Sequence, residues 1–145
     1  MGAAREVSYA VLGEAAIITA LIALSLQTGS VSLTTMLIPA PGAGAALLAA
    51  GLFAVLLAEN CRVPFDDPNT HLELTMIHEV MALDHSGPPL AVILHGASMK
   101  LLLFAVLLTQ AVLPMGAFAP LAAVGVLAAG VLVVAVAVGL VESLL

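Results

Sequence analysis

Residues 58–87 read AENCRVPFDDPNTHLELTMIHEVMALDHSG, the one strongly charged interval in an otherwise apolar chain. Of the 145 residues, 8% are charged and 63% hydrophobic, yet six of the nine acids and three of the four histidines fall in this stretch. What surrounds it decides the fold. With no Trp and only Arg5, Arg62 and Lys100 as basic residues, the chain cannot coat a soluble globule with polar surface. Working outward, four windows hold about 20 apolar residues each, enough to cross a hydrocarbon core of about 30 Å at about 1.5 Å per residue. They lie at 7–26, 41–59, 90–112 and 119–141. Four spans cannot close a β-barrel, and lipid leaves unpaired backbone groups unsatisfied, so each span must be helical. The expectation is a single membrane domain over 1–145: all-α, with about four transmembrane helices and a loop over 60–89 carrying an amphipathic helix.

Composition also excludes several functions. A net charge of -6 repels nucleic acid. A lone Cys61 cannot form an internal disulfide, and it cannot supply a cysteine-bound iron–sulfur cluster or a structural zinc site. Any redox centre is therefore expected in a partner. The opening MGAAREVSYA lacks the basic and short apolar regions of a signal peptide. Arg5 before the first window and Arg62 after the second lie on one side of the membrane, which the positive-inside rule makes the cytoplasm. Small residues in AAGLFA and AAVGVLAAG suit close packing against other membrane subunits, or equally plain tolerance of Ala and Gly in lipid-facing helices.

Within the loop, Asp67 before Pro68, and Thr70 with Glu73 in a capping-box spacing, predict a helix that starts between 67 and 70. It should run to Leu83, ahead of Ser86, Gly87, Pro88 and Pro89. On that helix Leu72, Leu74, Met76, Ile77, Val80, Met81 and Leu83 fill an arc of roughly 200°, opposite His71, Thr75, His78 and Glu79. Glu73 and Asp84 project into the apolar arc. For Glu73 a cap and a buried functional carboxylate both stand; Asp84 is either buried or solvated in the terminating loop. The histidines at 71, 78 and 85 repeat every seven residues, but that spacing separates successive imidazoles by about 10 Å, too far to share one ion. A solvated or partner-facing stripe is the better reading, with proton relay by single histidines as the alternative.

Charges inside the spans are costly, about 2.5–3.5 kcal/mol each on insertion scales, so they should be paired, neutral or facing water. Glu14 lies roughly 10 Å into the first helix and Lys100 roughly 15 Å into the third. With Glu59 at the end of the second span, they are candidates for one buried polar path, or for a structural ion pair with snorkelling. His95 reads as a hydrogen-bonded packing residue and Glu142 as a solvated acid.

At AENCRVPFDDP the residues carry a resemblance. Ala58, Glu59, Arg62, Pro64, Phe65, Asp66 and Pro68 match the A-E-x-x-R-x-P-F-D-x-P loop of subunit 1 of respiratory complex I. The continuation DDPNTHLELTMIHEVMALDHSGP is more similar to the related membrane subunit of formate hydrogenlyase, hydrogenase-4 and similar energy-converting nickel–iron (NiFe) hydrogenases. GAAREVSYAVLGEAA resembles the segment those subunits carry before the loop, and the likeness extends only to the C-terminal half of such proteins, as a fragment or split gene would.

The resemblance implies a non-catalytic membrane subunit in a bacterial or archaeal inner membrane. It would anchor a peripheral redox module, beside antiporter-like membrane subunits, and couple electron transfer to proton or sodium movement. No cofactor is implied on this chain; the NiFe centre and iron–sulfur clusters belong to partner subunits. The polar path of Glu14, Glu59 and Lys100 is then the candidate proton path, and the resemblance itself implies that Glu59 and Asp66 lie near the link between the loop and the ion path. Arg62, Asp66, Asp67, Glu73, His78, Glu79 and Asp84 would line a partner interface or cavity. Asp67, where complex I relatives carry an apolar residue, counts against a quinone site. The alternatives are a quinone-contacting subunit of complex I and a passive membrane anchor.

Overall fold

The computed structural model describes residues 2–37, 42–65, 82 and 84–144. The described residues hold helices and no strand. Helix α1 runs Gly2–Thr28, a four-residue α2 covers Leu33–Met36, and α3 is Ala43–Glu59. Helix α4 is Pro88–Val112, a 3-10 turn spans Met115–Ala117, and α5 is Pro120–Leu144.

The helix ends follow local chemistry. Helix α1 starts before its apolar window and stops where Gly29, at φ 65°, takes the left-handed conformation and donates its N–H to the Ser25 carbonyl at 2.8 Å. Pro88 and Pro89 open α4: at the first helical positions a missing N–H costs nothing and the fixed φ suits the helix. The pair that was expected to close the preceding helix thus also starts the next one. At the far end, Leu113 precedes Pro114 and adopts extended backbone, as a residue before proline must. A short helix, α2, occupies part of the segment between the first two apolar windows. The loop helix expected from 67–70 to Leu83 lies outside the described residues.

Three helical stretches are long and apolar enough to cross a membrane: Val7–Thr28, Pro88–Val112 and Pro120–Leu144. Helix α3 is also apolar, but at 17 residues it is about 25 Å long and falls short of a full hydrocarbon core. Only 11%, 11% and 6% of the residues in the three longer apolar windows are buried within the chain, so most of this apolar surface faces outward, as lipid or neighbouring subunits require. Hydroxyls in these helices bond to the preceding turn of their own backbone. Thr19 reaches Ala15 at 2.8 Å, Ser98 reaches Leu94 at 2.8 Å and Thr109 reaches Ala105 at 2.7 Å, which gives these three donors a partner in an apolar setting.

The helices pack in series, α1 on α3, α3 on α4 and α4 on α5. Leu52, Leu56 and Leu57 of α3 meet Phe104, Ala105, Leu108 and Ala111 of α4 and Val134 and Val138 of α5 in one core, with Ile17 and Ala20 of α1 packed on its edge. Small residues bring α4 and α5 close: a methyl at Gly130 would overlap the buried Thr109 side chain. Helix α3 is therefore flanked by α1 and α4, and whatever its last turn carries is held between them.

Candidate functional site

That last turn carries Glu59. Helix α3 ends in a Schellman motif, with the N–H of Arg62 on the Leu57 carbonyl at 2.9 Å and the N–H of Cys61 on the Ala58 carbonyl at 3.2 Å. The motif needs a left-handed residue, and here Cys61 takes it at φ 48° in place of the usual glycine, at a cost of about 1 kcal/mol. No glycine marks this turn in the sequence. The chain continues through a cis Val63–Pro64 bond to Phe65, whose ring meets Tyr9 of α1 edge-on with centroids 6.0 Å apart.

The turn fixes Glu59 at the C-terminal end of α3, the negative end of the helix dipole, where an acid needs a compensating cation. Lys100 of α4 supplies it. Its Nζ lies 2.6 Å from Glu59 Oε2, a charge-assisted hydrogen bond between two helices. The pair is asymmetric: the Glu59 side chain is 9% exposed and the Lys100 side chain 45%. The lysine thus reaches the outer surface of the chain while the carboxylate stays inside. The other carboxylate oxygen, Oε1, is buried without a hydrogen-bond partner among the described residues. Neighbouring Asn60 repeats the pattern, with Nδ2 donating to the Leu56 carbonyl at 2.8 Å and Oδ1 buried without a partner.

Two cavities flank the ion pair, and Glu59, Cys61 and Lys100 line both. One, about 40 Å³, extends towards α1 and is completed by Tyr9, Ala10, Ala58 and Phe65. The other, about 200 Å³, extends along α4 and is completed by Asn60, Ile93, Gly96 and Ala97. Both exceed the room needed by a single water. A carboxylate with one oxygen on a cation of the neighbouring helix and the other buried without a partner has hydrogen-bonding capacity to spare beside two cavities.

The remaining expected residues fall in different places. Glu14 is exposed on α1 and makes no ion pair among the described residues, so the chain brings Glu59 and Lys100 together without it. Gly13, one residue earlier, is the buried position that faces Glu59. Arg62 pairs with Glu142 of α5 at 2.9 Å, which corrects the reading of Glu142 as simply solvated; the side chains are 42% and 33% exposed. Asp84 lies in an exposed turn, which favours its loop reading over burial. His95 is exposed on α4 rather than packed. Asp66, Asp67, His71, Glu73, His78 and Glu79 lie outside the described residues. Among the described residues, no three His, Cys, Asp or Glu side chains gather as a metal site.

The profile of the NADH dehydrogenase family matches residues 1–145, the whole chain. No curated protein and no solved structure matches it. A full-length family match, an all-helical architecture and several apolar helices agree: the chain belongs to the NADH dehydrogenase family, of the complex I subunit 1 type, and is a multi-pass membrane subunit of a complex I-like oxidoreductase complex.

Proposed function

We propose that this subunit belongs to an energy-converting hydrogenase of the formate hydrogenlyase type, and that it couples electron transfer in a peripheral redox module to ion movement at Glu59. The observation that supports the coupling role is the Glu59 carboxylate itself, at the end of α3 between two cavities, with Oε2 on Lys100 and Oε1 buried without a partner among the described residues. A charge in such a setting must stay compensated, so the position of Lys100 and the charge on Glu59 are linked. The hydrogenase branch is supported by the continuation DDPNTHLELTMIHEVMALDHSGP. In this reading the loop after α3 faces the cytoplasm and docks the redox module through Arg62, Asp66, Asp67, Glu73, His78, Glu79 and Asp84. The NiFe centre and iron–sulfur clusters sit in partner subunits, and the membrane is the inner membrane of a bacterium or archaeon.

The test is Glu59→Gln in the assembled complex, with ion translocation and electron transfer measured side by side. The expected result is intact assembly and electron transfer with a loss of translocation. Unchanged translocation removes the coupling role and leaves a passive anchor. Repeating the assay in sodium-free buffer separates proton from sodium transport. A second reading, a quinone-contacting subunit of a complex I, is favoured by the breadth of the family match. Electrons delivered to quinone rather than to protons in the same preparation would select it.

A further inference from the structure

Gly13 is the buried residue of α1 that meets the Glu59 side chain, and a methyl there would fall 3.0 Å from Cδ and 3.1 Å from Cγ and would overlap Oε1. All three atoms belong to one side chain, so the carboxylate lies flat against the bare Cα of Gly13. From this we infer that Gly13 is a positioning residue for the ion-coupling carboxylate: its missing side chain sets how deep Glu59 sits and how close its Oε2 comes to Lys100. The inference rests on the reading of Glu59 as the coupling group.

Three observations carry it. First, the Glu59 carboxylate is confined on two sides, by Gly13 of α1 and by Lys100 of α4 at 2.6 Å, so a displacement away from α1 changes its geometry with the lysine. Second, Oε1 is buried and unpartnered among the described residues, so no hydrogen bond holds that oxygen in place; the shape of the α1 surface does. Third, the glycine is not there for backbone reasons. Position 13 lies mid-helix, where alanine is the better residue by about 0.5–1 kcal/mol, and its φ is not in the left-handed region. Gly51 of α3 is a control, because a methyl there meets nothing within 4 Å.

Three variants of the assembled complex test this, each assayed for assembly, electron transfer and ions translocated per electron: Gly13→Ala, the double variant Gly13→Ala/Glu59→Asp, and Gly51→Ala. Gly13→Ala should reduce translocation about tenfold or more, since displacements of about 1 Å at a reacting group have effects up to about a hundredfold. The shorter acid withdraws the carboxylate from the added methyl, and the lysine, half-exposed at the surface of the chain, can follow it. The double variant should therefore recover translocation that Gly13→Ala loses, an outcome that loss of packing alone would not produce. Gly51→Ala should behave as the parent. Full translocation in Gly13→Ala overturns the inference. If Gly13→Ala fails to assemble, restored assembly and translocation in the double variant uphold it, and a double variant that also fails to assemble or to translocate overturns it. Glu59→Gln in the same series separates the two levels: if it translocates normally, the coupling reading falls; if it is inactive while Gly13→Ala is normal, only the role of Gly13 falls.

Discussion

Replacing Lys100 with Met removes the cation from Glu59 and keeps the length and apolar stem of the side chain. The carboxylate, 9% exposed, then has no hydrogen-bond partner on either oxygen among the described residues. Breaking a fully buried ion pair by removing one partner costs about 3–5 kcal/mol, because an uncompensated charge remains in a medium of low polarity. Here the lysine end is 45% exposed at the outer surface of the chain, so the pair is not fully enclosed, and the cost is discounted to about 1–3 kcal/mol. Glu59→Gln alone also breaks the charge pair, but leaves a neutral amide. The double variant Lys100→Met/Glu59→Gln removes both charges and should be less destabilised than the sum of the single variants, with a coupling of about 1 kcal/mol or more. The measurement is thermal unfolding of the detergent-solubilised chain by far-ultraviolet circular dichroism, a probe that suits a helical protein without tryptophan. A loss of about 1–3 kcal/mol lowers the melting temperature by several degrees in a chain of this size. Strictly additive effects in the cycle would refute the reasoning, since two side chains in direct contact at 2.6 Å cannot act independently.

Two further outcomes follow from the packing. The Arg62–Glu142 pair is more open to solvent on both sides, so Glu142→Gln should cost less than about 1 kcal/mol, and raising the salt concentration should erase the difference; a large, salt-independent loss would place the pair in a more buried setting than its exposure shows. Gly130→Ala pushes a methyl into Thr109, which is 3% exposed, and should destabilise by about 1–3 kcal/mol, while Thr109→Ala in the same chain restores the lost stability; no rescue in the melting curves would refute the close approach of α4 and α5.

The all-helical membrane class was legible because it rests on bulk quantities: the length of apolar windows and the shortage of charge needed to cover them. The details that escaped rest on conformation rather than composition. Pro88 and Pro89, read as lying beyond the end of the loop helix, also sit where α4 starts, after Gly87 at φ 66°. The second window ended at 59, where α3 ends, but the turn that closes it was not visible, because Cys61 holds the left-handed position that glycine usually announces. Helices α2 and the 3-10 turn, four and three residues long, are too short for any periodic pattern to reveal.

The site divides in the same way. The cost of a charge in an apolar helix predicted that Glu59 and Lys100 would need partners, and they are each other's. The same cost applied to Glu14, which is exposed, because adjacent helical residues point about 100° apart. Gly13 faces α3, so Glu14 cannot. A depth along the helix axis, which sequence supplies, does not include the rotation about it, which packing supplies. The residue that touches Glu59 is therefore the one without a side chain, and it gave no chemical signal. Glycine in the middle of a helix is usually a cost; at position 13 that cost leaves room for the carboxylate, so the place of Glu59 depends on the surface of α1 as well as on the charge of Lys100.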